Sequence, residues 1–342
     1  MSDSQIRVGV IGAGGNTRRH HIPKLQAIDG VEVAAVSNRS VESGQRVADE
    51  FGIAQVYADW PTLIADDSLD AIVIGTWPDM HAQLSIAALE AGKHVLCEAR
   101  LARTVAEGRA MLAAAQARPQ LVAQVVPAPF TLASDRTIES LLATGTLGDL
   151  ISVEVVERSV VDPGEPLLFR HQRRLSGVNV MTLGIHYESL RRWLGDATRV
   201  NAVGRTAVGR RPDADGVLRP VDVPDHLEVT GVLASGPQLR ILLSQATAPA
   251  GGQANGIYLY GTTGTLHIAG EQLTLHRLDS AAEEVELISP VGWRVEEEFI
   301  GAIRGEEPVR FTTFADGVEY LRFTEAVDRS LHEHRQVSLS EI

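Results

Sequence analysis

The stretch RVGVIGAGGNTRRHHIPKL, residues 7 to 25, constrains the fold more than any other, because it runs from an apolar β-branched segment through a glycine-rich turn into a helical pattern. Such continuous apolar runs belong to strands buried on both faces, as in a parallel sheet covered by helices. In the turn, Gly12 permits a tight reversal. Gly14 lets the backbone approach a pyrophosphate, whose charge then sits against free N–H groups at a helix start. Thr17 stands where a full dinucleotide fingerprint has its third glycine, so the short pattern gains its weight from the strand, turn and helix around it.

The same grammar continues to residue 126. VEVAAVS, AQVYA, DAIVIGT, KHVLCE and LVAQVV read as strands, and helices start near Thr17, Ser40, Trp60, Asp79 and Thr104. Asp79 is placed to cap the run that ends at Gly92, and Thr104 with Glu107 matches a capping box. Residues 1–126 are therefore expected to form a doubly wound α/β dinucleotide-binding (Rossmann) domain with a parallel sheet. After PAPF, residues 127 to 130, one helix over about 132–144 is followed by LISVEVVERSV and then VTGVLA, QLRILLSQA, GIYLYG, GTLHIA and QLTLHRL. Strands that follow one another without helices should pair antiparallel. Residues 127–342 read as an α+β substrate-binding and oligomerisation domain with an open, mainly antiparallel sheet. A helix near 314–332 is expected to pack back on the first domain, and residues 208–225 read as a Pro, Asp and Gly-rich loop.

The formal charge of -13 argues against nonspecific binding to nucleic acid or anionic membranes, since phosphate contacts need a basic surface. Cys97 is the only cysteine, which excludes an intrachain disulfide and a cysteine-built metal site. No metal is predicted. No stretch approaches the roughly 20 apolar residues of a membrane span, and MSDSQIR lacks the apolar run of a secretory signal, so a cytoplasmic protein is expected.

The second strand ends in VSNRS, where NAD-selective sites usually place a carboxylate for the ribose hydroxyls. Ser37, Asn38, Arg39 and Ser40 contain no acid, and a guanidinium would attract a 2'-phosphate. The expected cofactor is NADP, with NAD as the alternative.

On these residues the chain resembles the Gfo/Idh/MocA family of NAD(P)-dependent sugar and cyclitol oxidoreductases, over almost its whole length. GVIGAGGNTRRHHIPKL looks like the family's cofactor loop, and TWPDMHAQLSIAALEAGKHVLCEA is similar to the stretch leading to its Glu-Lys-Pro motif. SGVNVMTLGIHYESLRRWLG resembles its Gly-rich, Asp and His helix, and IYLYGTTGTLHI and EEFIGAIRGEEPV its late signatures. The resemblance implies a cofactor site of Gly12, Gly14, Gly15, Asn16 and Thr17, with Asn38, Arg39 and Ser40, then Thr76, Trp77 and His81, and finally Glu98. It also implies a small-molecule substrate and a homo-oligomer, dimer or tetramer, that covers the apolar alternation of QLRILLSQA.

Two of the family's three catalytic positions are changed: Glu98, Ala99 and Arg100 replace Glu-Lys-Pro, and Thr182 stands where the acid four residues before the histidine would be. Arginine stays protonated, so Arg100 can polarise an oxygen but not shuttle a proton. His186 is then the expected acid or base, with Tyr187 and Arg100 as further catalytic candidates. Arg170, in a basic run with His171, Arg173 and Arg174, is a candidate anchor for an anionic substrate group, and Thr182 a substrate contact. The expected activity is NAD(P)-dependent oxidoreduction of a sugar, cyclitol or related carbonyl or imine. The alternatives are a lyase, epimerase or glycoside-cleaving enzyme using transient redox, or a degenerate nucleotide-binding paralogue.

Overall fold

The computed structural model describes residues 5–248 and 252–342; residues 1–4, the start of MSDSQIR, lie outside it. The chain forms two compact units, Met1–Pro127 with Arg294–Val318, and Ala128–Trp293 with Glu319–Ile342. In the first unit, strands β1 (Ile6–Ile11), β2 (Val31–Ser37), β3 (Gln55–Tyr57), β4 (Ala71–Ile74), β5 (His94–Cys97) and β6 (Ala123–Val125) make a six-stranded sheet in the order β3-β2-β1-β4-β5-β6. Every pair in it is parallel. Val8, Val10, Ala34, Val36, Ile72, Val95 and Leu96 are almost fully buried, which is why these runs do not alternate. The strand order reverses between β1 and β4, and in open sheets of this kind ligands bind beyond the carboxyl ends of the strands at that point.

Helices α1 (Ile22–Gln26), α2 (Val41–Phe51), α3 (Trp60–Ile64), α4 (Pro78–Glu90) and α5 (Val105–Gln116) connect the strands. Thr104 caps α5 as expected, accepting from the Glu107 N–H, whereas the Glu107 carboxylate accepts from the Arg103 N–H and leaves the box half formed. Asp79 is not a cap: α4 begins one residue earlier, after Trp77, with Pro78 in its first turn.

In the second unit come α6 (Asp135–Ala143), β7 (Leu150–Arg158), the short α7 (Arg173–Ser176) and α8 (Leu183–Leu194). Strands β8 (Ala197–Arg205), β9 (Arg210–Pro212), β10 (Leu218–Pro220), β11 (His226–Leu233), β12 (Gln238–Ser244), β13 (Gly256–Gly261), β14 (Gly264–Ala269), β15 (Gln272–Arg277) and β16 (Glu283–Glu284) follow. With β17 (Val337–Ser338) they build a nine-stranded sheet, β16-β15-β14-β13-β7-β12-β11-β8-β17, that leaves β9 and β10 aside. It is antiparallel except for one pair, β7 with β12, which runs parallel. Residues 208–225 are not all loop: β9 and β10 pair antiparallel, and Arg211, 2% exposed, donates to the Asp162 and Glu165 carbonyls.

Leu239, Ile241 and Leu243, the apolar row expected to need a second subunit, are already buried. A shallow depression of about 450 Å³ on this sheet has a mixed lining, with Glu154, Arg199, Thr230, Arg240 and Tyr260 beside Val232. Here Glu154 pairs with Arg240 at 3.0 Å and accepts from Gln253 and Tyr260.

The chain returns to the first unit over Arg294–Val318, well before the helix near 314–332 that was expected to do so. Helix α9 (Val295–Arg304) buries Phe299 and Ile300, and the Val125 N–H donates to the Thr312 carbonyl beside β6. Only the first turn of α10 (Phe314–Glu333) belongs to that unit. Among the described residues no helix is long and apolar enough to cross a membrane.

Candidate functional site

The glycine loop is built as the sequence demands. The Gly12 N–H donates to the Ser37 carbonyl, and the residue has a φ of +82°, a left-handed conformation that favours glycine. A Cβ there would lie 2.6 Å from the Thr76 methyl and 2.8 Å from its backbone nitrogen. Gly14 and Gly15 are exposed; a Cβ on Gly14 would touch only the Gly75 carbonyl, and one on Gly15 nothing within 4 Å. Bare backbone therefore faces open space beside the helical turn Thr17–His21, which is what a dinucleotide pyrophosphate requires.

Several residues expected to touch the cofactor also hold this loop in place. Asn38 accepts from the Ala13 N–H at 2.8 Å and donates to the Ser43 carbonyl, so both ends of its amide clasp backbone. Ser40 caps α2 by accepting from the Ser43 N–H. Thr17 is 1% exposed and packs against Gly75, while the Thr76 hydroxyl donates to the Trp77 carbonyl. His81 is fully buried, with Nδ1 3.0 Å from the Arg100 carbonyl and Nε2 3.1 Å from that of Thr76. It ties the loop after β4 to the loop after β5. Burial holds its pKa below the ordinary histidine value despite those carbonyls. Arg39 and Trp77 are exposed and Arg100 half-buried, the first at the carboxyl end of β2 where an adenosine ribose would lie.

Glu98 enters a buried network that the sequence did not reveal. Its carboxylate accepts from the Asn16 amide and lies 3.1 Å from His21 Nε2, while His21 Nδ1 lies 2.5 Å from Glu296 on α9. Burial alone would push His21 down, but hydrogen bonds and charges from Glu296 and Glu98 outweigh it and raise its pKa to about 9. For Glu98 burial pushes upward, and the His21 and Asn16 bonds overcome it and hold the carboxyl below its usual range. His21 is thus an imidazolium between two carboxylates, and Glu98 is fixed beside the glycine loop.

The second cluster lies within the second unit. His186 on α8 is 7% exposed, and its Nε2 is 2.8 Å from Glu157 Oε2 on β7; the Thr182 hydroxyl donates to the same oxygen at 2.7 Å. Nδ1 of His186 is buried with no hydrogen-bond partner among the described residues, and the Phe130 ring lies 5.1 Å away, centroid to centroid. The network assigns the proton to Nε2, because a buried N–H without an acceptor costs about 1–3 kcal/mol. Burial pushes the Glu157 carboxyl up, but the bonds from His186 and Thr182 and the charge His186 can carry hold it below the usual range.

Glu157 was missed, and the signal for it was present. Val153 and Val155 are the inward row of β7, so the strand period of two puts Glu157 on the same face. A carboxylate on an inward row needs a partner, and the helix carrying His186 supplies it.

Tyr187 is not part of this cluster, which corrects the sequence reading. Its ring is fully buried and stacked on Phe323 at 3.7 Å, while its hydroxyl accepts from the Ala197 N–H at 2.8 Å and reaches Asp196 at 3.4 Å. Burial raises its pKa far above the ordinary phenol value. Tyr187→Phe should lower stability by about 1–3 kcal/mol, the Ala197 N–H being left unsatisfied, without changing turnover; a large fall in kcat in steady-state assays would return the residue to the active site.

The basic run contributes less charge than its sequence suggests. Arg173 makes a bidentate pair with Asp328 at 2.5 and 2.6 Å, and Arg174 donates to Gln172. Burial, with Arg211 and Arg170 nearby, lowers the pKa of His171 to about 4. Arg170 is exposed, its guanidinium 5.4 Å over the Phe169 ring.

Comparison with known proteins agrees with both halves of this description. Residues 6–125 match the family described as "Oxidoreductase family, NAD-binding Rossmann fold", and residues 136–267 match the "GFO/IDH/MocA C-terminal domain". Levoglucosan dehydrogenase of Pseudarthrobacter phenanthrenivorans is 29% identical over 76% of this chain and 73% of its own length. D-apiose dehydrogenase of Paraburkholderia graminis is 26% identical over 95% of this chain and 87% of its own. A levoglucosan dehydrogenase structure in complex with NADH and levoglucosan shares the fold, with a TM-score of 0.82 at 23% identity, covering 98% of this chain and 99% of that one. The chain belongs to the Gfo/Idh/MocA family of oxidoreductases and carries its NAD-binding Rossmann fold.

Proposed function

We propose that this oxidoreductase interconverts a hydroxyl and a carbonyl on a sugar or cyclitol, using NADP in preference to NAD. The observation that carries the reading is the Glu157 and His186 pair. It supplies a proton-handling group although Ala99 and Thr182 stand where the family has lysine and an acid. Relatives named for levoglucosan and D-apiose support a sugar substrate. When bound, the nicotinamide supplies the hydride acceptor or donor. Gly12, Gly14 and Gly15 would hold its pyrophosphate, and Asn16 and Glu98 would face its nicotinamide half, over the ends of β4 and β5. Arg100 would polarise the reacting oxygen and Arg170 would anchor an anionic substrate group, while the Thr182 hydroxyl is given to Glu157 rather than to the substrate.

The NADP preference rests on Arg39, which is exposed at the end of β2 with no carboxylate beside it in sequence. Arg39→Ala should weaken NADP binding by about tenfold or more and leave NAD nearly unchanged, because one charged hydrogen bond to the 2'-phosphate is lost. Calorimetric titration of native chain and variant with both nucleotides measures this, and equal losses for the two would remove the preference. A panel of sugars and cyclitols followed by absorbance at 340 nm then tests the activity itself. No nucleotide binding, or no turnover across the panel, would sink the reading. Self-association belongs to the same proposal and would use the sheet face around Glu154 and Arg240, and light scattering that returns a monomer at micromolar concentration would remove it.

A further inference from the structure

We propose that Glu157, rather than His186, takes the hydroxyl proton of the substrate, with His186 and Thr182 as its positioning residues; this rests on the oxidoreductase reading above. Nε2 of His186 is committed to Glu157 Oε2, and Nδ1 is buried with no partner among the described residues. With the proton on Nε2, the remaining lone pair of the imidazole is on the buried Nδ1.

Glu157 is the opposite case. Its two hydrogen bonds both land on Oε2, Oε1 has none among the described residues, and the side chain is 35% exposed. Two donors on one oxygen fix the plane of the carboxylate and aim the other oxygen. The inward row of β7 is otherwise apolar, with Val153 and Val155 fully buried, so the half-buried carboxylate at its end is not there to fill the core. A carboxylate kept there, bonded on one side and open on the other, fits an acceptor for a hydroxyl proton.

In oxidation, the substrate O–H bond breaks and its proton moves to Glu157 Oε1. The C–H bond breaks with its electron pair leaving as hydride to the oxidised nicotinamide dinucleotide, and the C–O bond becomes a carbonyl. The carboxylic acid then releases its proton to solvent through its exposed side. In reduction the same oxygen returns the proton to the carbonyl oxygen. His186 keeps its N–H bond to Oε2 throughout.

The test uses the full chain with the substrate found in the panel. Glu157→Gln should slow single-turnover hydride transfer at 340 nm by about a hundred- to ten-thousand-fold, the range for loss of a general base, with nucleotide affinity and thermal midpoint near native. His186→Leu should cost far less, and should move the acid limb of the pH profile to higher pH because leucine has no donor to replace Nε2 at Oε2. The double variant E157Q/T182D should regain much of the lost rate, since Thr182 Oγ1 already lies 2.7 Å from Oε2. A readout free of nucleotide is the infrared difference spectrum on acidification. The Glu157 carboxyl band, assigned by its absence in E157Q, should appear below the ordinary carboxylate range in the native chain and at higher pH in H186L. Turnover by E157Q within tenfold of native overturns the proposal and leaves the oxidoreductase reading standing. So does an H186L loss equal to that of E157Q with no recovery in the double variant. A native chain that turns over no substrate overturns the oxidoreductase reading, and the proposal falls with it.

Discussion

Replacing His21 by leucine should destabilise the first unit by about 3–5 kcal/mol, the usual result of removing one member of a buried ion pair. Glu98 and Glu296 would lose the imidazolium between them, and one would have to take up a proton or draw in water. The pH dependence is the sharper readout. The folded-state pKa of His21 is raised to about 9, above the ordinary 6.5, so its stabilisation is complete below pH 6.5 and is lost as pH rises through about 9. That window carries on the order of 3 kcal/mol in the native chain. Urea unfolding from pH 6 to 9.5 should show native stability falling across it and the leucine variant changing little. Parallel curves would mean that the imidazole is not charged in the fold.

Gly75→Ala should abolish nucleotide binding, with a loss in affinity of at least about a hundredfold. A Cβ there would stand 2.1 Å from Thr17 Oγ1 and 2.4 Å from the Gly12 carbonyl. The first contact is with a side chain that can be removed, but the second is with the backbone of the loop that would hold the pyrophosphate. To admit one methyl group, that loop must move away from β4, and overpacking of this kind also costs about 1–3 kcal/mol of stability. The double variant G75A/T17A separates the two contacts. Because the Gly12 clash persists, affinity by calorimetry should stay low, and full recovery would assign the effect to Thr17 alone.

The elements of the first unit were legible because most strands are continuous apolar runs and several helices are bounded by local chemistry, Ser40 and Thr104 before α2 and α5 and Gly92 after α4. What the residues do in space was less so. Asn38, Ser40, Thr17 and His81 were placed in the right loops, but a sequence does not say whether a polar side chain faces a ligand or satisfies the backbone behind it. Asn38, Ser40 and His81 each bond to backbone, and Thr17 is buried against Gly75. Tyr187 was chosen for its place beside His186, yet one step along a helix turns a side chain by about 100°, and here that step leads into the core against Phe323. The resemblance puts an acid on the helix where this chain has Thr182, whereas the carboxylate bonded to His186 comes from a strand 29 residues earlier, where only the inward row of β7 announces it. The parallel pairing of β7 with β12 and the hairpin of β9 and β10 escaped for another reason. Pairing depends on distant partners, and three-residue strands ending in Pro212 and Pro220 have too little pattern to register.

The interrupted path of the chain through its first unit sets an order on synthesis. When residue 127 leaves the ribosome, β6 lacks the segment at Thr312 and Thr313 that bonds to it, and His21 has only one of its two carboxylates. The nucleotide-binding half is thus an unfinished object for the time it takes to translate the whole intervening sheet. A fragment cut at residue 127 therefore lacks the Thr312 and Thr313 bonds along β6 and the Glu296 partner of His21.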